Sequence, residues 1–252
     1  MITSRDNQQI KDLKKLQEKR FRMRRKQFVA EGEDLIGAAL AAGWVPDRIF
    51  HAPDVPEWIS EQPSAWPVEY VVLADASGLG SGTRAIAVFD EYEEDEPEFG
   101  QLALYVEGVS DPGNVGTLIR SASAFSDSPV LLAEGCAEPW SPKALRAGMG
   151  ATFAQPPVTN AELPDSGATI LALDGSGDIE IQDVEIEGPV VICAGSEREG
   201  LAPETLERAD IIARIPMLET GPESLNVAMA ATVALYQLAG ITQSTENQAE
   251  DV

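Results

Sequence analysis

The chain contains little of the side-chain chemistry on which many enzymes depend. Histidine occurs once, at His51, and cysteine twice, at Cys136 and Cys193. A zinc site or a Ser-His-Asp triad would have to be built around a single histidine that has no partner motif, which favours a structural role for His51. The cysteines have no CxxC spacing, so we expect buried free thiols and no metal.

Long apolar runs are also absent, and no segment approaches the roughly 18 residues that predict a membrane span. The N-terminal segment 1–15 lacks the apolar core of a signal peptide. We therefore expect a cytoplasmic protein with no membrane partner. The apolar fraction of 44% is typical of a globular protein, and 252 residues suffice for one large or two modest domains.

Basic side chains are scarce and unevenly placed. There are 18 lysines and arginines against 42 acidic residues, yet residues 1–30 hold ten basic side chains and only three acidic ones. A cationic segment on an anionic chain predicts contact with RNA phosphates, and a solvated helix face is the alternative. The predicted RNA-binding residues are Lys19, Arg20, Arg22, Arg24, Arg25 and Lys26.

An acidic segment at 90–98 divides the chain. Its seven acidic residues and one proline offer almost nothing to bury, which indicates an interdomain linker. We predict a small α/β domain at 1–90, a linker at 91–100, a second domain at 101–241 and a disordered tail at 242–252. In the first domain we expect helices over 7–25 and 34–42, and strands over 28–31, 48–51, 69–73 and 85–89.

Apolar strands alternate with helices after residue 101. We expect strands over 102–107, 129–133, 169–173, 190–194 and 211–215, and helices over 115–125, 142–148, 203–208 and 223–239. This alternation predicts an α/β fold with a mainly parallel sheet covered on both faces. Ligands of such sheets bind beyond the carboxyl ends of the strands.

Three polar, glycine-bearing loops follow these strands, namely GVSDPGN at 108–114, CAGSEREGL at 193–201 and PMLETGPESLN at 216–226. In the first loop an asparagine can cap the following helix, and in the second the glycines allow a close approach of backbone to ligand. Each loop alone is also compatible with an ordinary strand-to-helix turn. The notable residues of the loops, together with Arg120 on the helix that follows the first loop, are Asn114, Gly195, Ser196, Glu197, Gly200, Ser224 and Asn226.

Together, in this order and spacing, the loops resemble the three motifs of the SpoU/TrmH-type RNA 2′-O-ribose methyltransferases of the SPOUT superfamily. The likeness covers about 102–240, with DPGN-x-G-x-x-x-R, GSE-x-x-GL and PM…ESLNVA matching. Residues 1–90 resemble the ribosomal-protein-like substrate-binding domain of ribosomal RNA members. The resemblance implies a deep trefoil knot, S-adenosyl-L-methionine as cofactor, and a homodimer with the site near the subunit interface.

Site residues follow from the same resemblance, position by position. The catalytic residues would be Asn114, Arg120, Glu197, Ser224 and Asn226. The cofactor contacts would be Gly195, Ser196, Gly200, Ile215, Met217 and Leu225. Two positions depart from the family pattern: Gly148 stands where serine is expected, and Arg198 where glycine is frequent.

The implied activity is transfer of a methyl group from S-adenosylmethionine to a ribose 2′-hydroxyl of RNA. Ribosomal RNA, 23S in particular, is favoured over transfer RNA because of the N-terminal domain. A non-catalytic RNA-binding protein of the same fold is the second interpretation. A nucleotide-dependent oxidoreductase or kinase is disfavoured, since GLGSGT at 78–83 lacks the GKS or GKT ending of a phosphate loop. Arg120 would act either as a base or as a cation, and we favour the cation because arginine keeps its proton.

Overall fold

The computed structural model describes residues 1–78, 82–92, 99–165, 167–218, 220–222 and 224–249, without the side chains of 240–249. Its contacts divide the chain into two compact units: unit 1 is Met1–Glu93 with Glu138–Ala154, and unit 2 is Glu94–Ala137 with Gln155–Val252. Segment 138–154 therefore belongs to unit 1, although we placed it in the second domain. The predicted linker at 91–100, tail at 242–252 and loop at 78–83 lie partly outside the described residues.

Short helices and strands follow one another along the chain. Up to residue 90 they are α1 (Gln8–Lys15), α2 (Lys19–Arg25), β1 (Gln27–Glu31), α3 (Glu33–Ala41), β2 (Arg48–His51), α4 (Glu57–Ser60), β3 (Ala65–Pro67), α5 (Tyr70–Ala76) and β4 (Ala85–Asp90). After residue 100 they are β5 (Leu102–Val106), α6 (Pro112–Phe125), β6 (Leu131–Leu132), α7 (Pro142–Gly148), α8 (Ala151–Ala154), β7 (Val158–Thr159), β8 (Thr169–Leu173), β9 (Ile179–Glu180), a 3-10 turn (Ile181–Asp183), β10 (Val190–Ala194), α9 (Pro203–Arg208), β11 (Ile211–Arg214) and α10 (Val227–Ala249).

Unit 1 is built on a four-stranded sheet in the order β1-β4-β2-β3, in which β4 is antiparallel to both of its neighbours. Successive side chains of a strand point to opposite faces. Accordingly Phe28 of β1 lies in one apolar cluster and Val29 in another. The first cluster includes Trp140 of segment 138–154, whose ring centroid lies 4.7 Å from that of Phe28. Segment 138–154 thus completes the core of unit 1.

Two predictions for unit 1 are wrong. The single helix expected over 7–25 is broken into α1 and α2, because the guanidinium of Arg22 takes the carbonyl oxygens of Leu16 and Gln17 that would continue the helix. The strand expected over 69–73 is helix α5, whose buried Val72 and Leu73 pack in the same cluster as α1. The β-branched residues favoured a strand, and tertiary packing overrode that preference.

Unit 2 is built on a seven-stranded sheet in the order β7-β6-β5-β10-β8-β11-β9, and every strand pair in it is parallel. This arrangement confirms the predicted α/β fold class, whereas the trefoil knot stays a prediction. Four adjacent strands, β5, β10, β8 and β11, end at Val106, Ala194, Leu173 and Arg214. The loops that follow them therefore start at the same edge of the sheet.

The starts of α6 and α10 set the positions of two predicted site residues. Asp111, not Asn114, caps α6, since its Oδ1 accepts the backbone N–H groups of Gly113 (2.7 Å) and Asn114 (3.1 Å). The side chain of Asn114 is thereby released for other contacts. Asn226 caps α10, which ends at Ala249, beyond the predicted end at Ala239. Among the described residues no helix combines the length and apolar character needed to cross a bilayer.

Candidate active site

A cavity of about 230 Å³ lies beyond the carboxyl ends of β8, β10 and β11. The residues that line it include all six for which the sequence predicted a cofactor contact, together with Glu197 and Ser224. Its lining is Leu173, Asp174, Gly175, Ala194, Gly195, Ser196, Glu197, Gly200, Ala213, Ile215, Met217, Ser224, Leu225, Val227 and Ala230. The second and third polar loops therefore meet on one cavity of unit 2.

A tight hairpin after β10 forms one wall of the cavity. Ser196 and Gly200 exchange backbone hydrogen bonds of 3.2 and 3.0 Å. At Gly195 no side chain fits, because the carbonyl group of Gly200 fills the space that a Cβ would need. Gly200 has a φ of +70°, in the left-handed region that favours glycine. The hairpin therefore brings bare backbone to the cavity and carries Glu197 near its tip.

Three polar side chains from three separate loops meet in a cluster that we call the amide–carboxylate cluster: Asn114, Glu197 and Asn226. Asn114 Nδ2 donates to Glu197 Oε1, and Asn226 Nδ2 donates to Asn114 Oδ1 at 3.1 Å. Asn226 Nδ2 also lies 3.4 Å from Glu197 Oε1. The Oδ1 atom of Asn226 accepts the backbone N–H of Ala228 (3.0 Å), so the start of α10 fixes the amide. Because Glu197 lines the cavity, the cluster stands beside it.

Arg120 is not part of this cluster within the chain. It is exposed on α6, six residues after Asn114, which corresponds to about 9 Å along the helix axis. Among the described residues no group forms a hydrogen bond or an ion pair with its guanidinium. Ser224 is also exposed, and its backbone or side chain contributes to the cavity wall.

Sequence reasoning missed the part of the cavity that follows β8, namely Leu173, Asp174 and Gly175. The segment DGSGD at 174–178 is a glycine-bearing loop after an apolar parallel strand, which is the same signal that identified the other loops. Val227 and Ala230 of α10 were missed as well, because a helix face that packs on a core has the same pattern as one that lines a cavity.

The sheet beneath the cavity holds a thiol that stays neutral. Cys193 is fully buried in β10, and burial, followed by the negative charge of Glu107, raises the pKa of its thiol to about 12. Glu107 accepts the backbone N–H of Ala202 (3.0 Å) and the hydroxyl of Thr205 (3.3 Å) at the start of α9. Cys193 is therefore a packing residue and not a nucleophile. Among the described residues no three histidine, cysteine or acidic side chains are placed to hold a metal ion.

The predicted RNA-binding residues lie on α2 and at its end, in unit 1. Lys19, Arg20, Arg24, Arg25 and Lys26 are exposed. Arg22 is the exception and is removed from the set. Its side chain is 5% exposed, and its Nε and Nη2 atoms donate to the two carboxylate oxygens of Glu138 at 2.7 Å each. With Nη1 bonded to two carbonyl oxygens, no face of this guanidinium is available to a phosphate.

Comparison with known proteins agrees with this arrangement. The model of the SpoU rRNA Methylase family matches residues 101–236, and that of the MRM3-like substrate binding domain matches residues 7–79. The 23S rRNA (guanosine(2553)-2′-O)-methyltransferase RlmP of Bacillus subtilis is 29% identical over 95% of this chain and 99% of its own length. The mitochondrial rRNA methyltransferase 3 of Mus musculus is 29% identical over 86% of this chain and 68% of its own length.

A solved structure gives the same result for the fold. The AdoMet-bound rRNA methyltransferase of Sinorhizobium meliloti superposes with a TM-score of 0.83, at 28% identity, over 94% of this chain and 95% of that one. The family predicted from the three loops and from the N-terminal segment is thus confirmed. With a family model matching more than half of its residues, the chain belongs to the SpoU rRNA methylase family.

Proposed function

We propose that the protein transfers a methyl group from S-adenosyl-L-methionine to a ribose 2′-hydroxyl of ribosomal RNA, with 23S RNA the favoured substrate. The observation that carries the proposal is the amide–carboxylate cluster beside a cavity lined by all six predicted cofactor residues. Membership of the SpoU family and the relative of Bacillus subtilis that methylates a guanosine 2′-oxygen of 23S RNA support it.

The residues of the cavity fit this cofactor. Ile215 and Leu225 offer apolar surface of the kind that an adenine ring requires, and Gly195 and Gly200 leave room for backbone to approach it. Of the described lining residues only Asp174 and Glu197 are charged, and both are negative, which suits a cationic ligand. When bound, S-adenosylmethionine supplies an electrophilic methyl group on its sulfonium.

The chain's own residues then have to orient the ribose and stabilise the oxygen that attacks. We assign Asn114, Glu197 and Asn226 to positioning, since their mutual hydrogen bonds hold three loops in one arrangement. Ser224 offers a further hydroxyl on the cavity wall. Holding the reactants in the correct orientation can lower the activation free energy by on the order of 7–11 kcal/mol. Arg120 would supply positive charge for the developing alkoxide and keep its own proton, while the proton of the 2′-hydroxyl would pass to water or to a phosphate. S-adenosylhomocysteine would be the leaving product.

We also propose that the protein is a homodimer through α6 and α10. Met229, Val233 and Tyr236 form an apolar stripe on α10, and these residues are 63%, 42% and 69% exposed. The ring of Tyr236 packs edge-on against that of Phe125 of α6, and the two ring centroids are 5.8 Å apart. An apolar face of this kind is an expected subunit contact. Since α6 also carries Arg120, the second subunit would add its contacts close to the catalytic residues.

RNA recognition is assigned to the exposed cations of α2, within the segment that matches a substrate-binding domain. Lysine and arginine side chains bind phosphates without reading sequence, so α2 would position the RNA and not select the nucleotide. The location that we propose is the cytoplasm, where a bacterial relative such as RlmP would meet ribosomal RNA.

The proposal is tested by methylation with S-adenosylmethionine that carries a trideuteromethyl group. Purified protein is incubated with unmodified ribosomal RNA or with transfer RNA, and the nucleosides are analysed by mass spectrometry. We expect the deuterated methyl group on a ribose of ribosomal RNA. A label on a base, or no label although the cofactor binds, would overturn the proposal. A label confined to transfer RNA would support the alternative substrate.

A further inference from the structure

Asp174 is a charged residue of the cavity wall, and it has no catalytic or positioning role in the proposed mechanism. It directly follows β8 and lines the cavity between Leu173 and Gly175. Together with Glu197 it accounts for all the charge on the described lining. Glu197 is bonded to Asn114 and Asn226, whereas Asp174 is bonded to neither. The two carboxylates therefore occupy different places in the site.

The loop that carries Asp174 is firmly held. Its backbone N–H donates to the carbonyl oxygen of Ala213 at 3.0 Å, next to the end of β11. Its Oδ1 atom accepts the backbone N–H of Ser176 at 2.8 Å and the Ser176 hydroxyl at 2.6 Å. Further along, Arg214 Nη1 donates to the carbonyl oxygen of Gly177 at 2.6 Å. The direction of the carboxylate is thus set before any ligand arrives.

The second carboxylate oxygen has a different environment. Among the described residues no group donates a hydrogen bond to Asp174 Oδ2. A methyl group placed on Gly200 would lie 3.7 Å from this oxygen, so Oδ2 lies beside the glycine hairpin on the wall of the cavity. An ionised carboxylate only accepts hydrogen bonds, and an oxygen held in this way is ready for a donor on the ligand.

We propose that Asp174 Oδ2 accepts a hydrogen bond from the methyl donor, and that Asp174 is a cofactor-binding residue of this enzyme. The inference rests on the proposed function. S-adenosylmethionine offers three kinds of donor: the amino group of its adenine, the hydroxyls of its ribose and the ammonium of its methionine part. A hydrogen bond to a charged acceptor contributes enough that its loss weakens binding on the order of 10- to 100-fold.

Two variants distinguish the loss of the proposed hydrogen bond between Asp174 and the ligand from a distortion of the loop that carries Asp174. In Asp174→Asn one oxygen remains to accept from Ser176, while the second oxygen becomes an amide nitrogen, which donates and cannot accept. In Ser176→Ala the hydroxyl bond that steadies the loop is lost, while both oxygens of Asp174 remain. Asp178→Asn is the matched control, because Asp178 is an exposed carboxylate of the same loop that does not line the cavity.

The test is calorimetric titration of the full-length proteins with S-adenosylhomocysteine and with 5′-methylthioadenosine, which keeps the ribose but lacks the ammonium. We expect Asp174→Asn to weaken S-adenosylhomocysteine about 10- to 100-fold, with an unchanged melting temperature, and Asp178→Asn to bind like the wild type. An equal loss for 5′-methylthioadenosine places the donor on the nucleoside, as a ribose hydroxyl or the adenine amino group, and a loss only for S-adenosylhomocysteine identifies the ammonium.

Unchanged affinity of Asp174→Asn for both ligands would overturn this inference and leave the proposed function standing. An equally large loss in Ser176→Ala would also overturn it, since loop geometry and not the bond would then be responsible. If the wild type bound neither ligand, the assignment of the cavity to the methyl donor would fail, and the role of Asp174 would fail with it.

Discussion

At the residue scale, Arg120 separates two views of the chemistry. It is exposed on α6, and no described residue pairs with its guanidinium. If it supplies positive charge to the developing alkoxide, Arg120→Lys keeps a cation and should retain measurable methyl transfer with a shifted pH profile. Arg120→Ala removes the charge and should lower kcat by about 10²- to 10³-fold, as for other electrostatic stabilisers.

These rates are measured in single turnovers at saturating RNA over a range of pH, with RNA affinity determined in parallel. The Lys143→Ala variant is a suitable control for the loss of a cation outside the proposed catalytic residues. Complete loss of transfer in Arg120→Lys with intact RNA binding would contradict a role that depends on charge alone.

Cys193 makes a prediction about alkaline stability. Burial, followed by the charge of Glu107, raises the pKa of its thiol to about 12 from 9.0. Between these values the unfolded chain releases a proton that the folded chain keeps, so the free energy of unfolding falls as the pH rises from about 9 towards 12. Cys193→Ala should show a shallower fall in urea unfolding over this range. An equal slope in the variant and the wild type would contradict the assignment.

Individual site residues could be predicted only where a motif carries them. Asn114, Glu197 and Asn226 were found because each lies in a polar loop after a strand, and the structure joins them. Arg22 was misassigned because its partner, Glu138, is 116 residues away, and no local pattern reveals a buried ion pair of that kind. Asp174 was overlooked although its loop follows an apolar strand and contains glycines like the other loops, because it lies in none of the three motifs that carry the family resemblance.

At the scale of elements, α2 combines a structural arginine with exposed ones. Arg22 and Glu138 are 5% and 10% exposed, so Arg22→Ala leaves a buried carboxylate without its partner and should cost about 3–5 kcal/mol of stability. Arg24→Ala, on the exposed side of the same helix, should leave stability within about 0.5 kcal/mol. It should instead weaken RNA binding. The slope of the logarithm of the RNA-binding constant against the logarithm of the salt concentration should become shallower by about one, which corresponds to one lost phosphate contact.

Urea unfolding and RNA titrations at several salt concentrations measure both effects. The double variant Arg22→Met with Glu138→Leu should recover most of the stability that Arg22→Ala loses, because neither charge is then buried alone. A stability loss in Arg24→Ala, or a change of salt dependence without loss of stability in Arg22→Ala, would contradict this division of roles.

Secondary structure was predictable where chain-local signals agree with tertiary packing. The bounds of β2, β8, β10, α7 and α9 follow from apolar runs that begin or end at proline, glycine or charged residues. The break between α1 and α2 was not predictable, because the Arg22 guanidinium that bonds to the carbonyl oxygen of Leu16 is held by Glu138, 116 residues away. The helical state of α5 was not predictable either, because it depends on packing against α1, which is distant in sequence. The short strand β3 has too few residues for a pattern of period two.

At the scale of the whole molecule, the proposed dimer depends on the apolar stripe of α10. Replacing both Met229 and Tyr236 by glutamate would place two charges in the proposed contact and should convert the dimer to monomers. Sedimentation velocity measures the change. Ile179→Glu is the control, since Ile179 is 42% exposed on β9 and not on α10. A monomeric wild type at micromolar concentration, or a variant that stays dimeric, would contradict the proposal.

The net charge of −24 also acts on the whole molecule. An anionic chain repels RNA except at its cationic segment, so the basic residues within 1–30 would orient the approach as well as add affinity.

The central claim is that three loops form one catalytic unit, and a double-mutant cycle on methyl transfer tests it most directly. Asn114→Ala and Asn226→Ser each remove one amide, and serine retains a cap for α10. The measured quantity is the single-turnover rate of ribose methylation of ribosomal RNA for the wild type, both single variants and the double variant. We predict that the double variant is about as slow as the slower single variant, because residues that act as a unit are not additive. Rate losses that multiply, or rates equal to that of the wild type, would contradict the account.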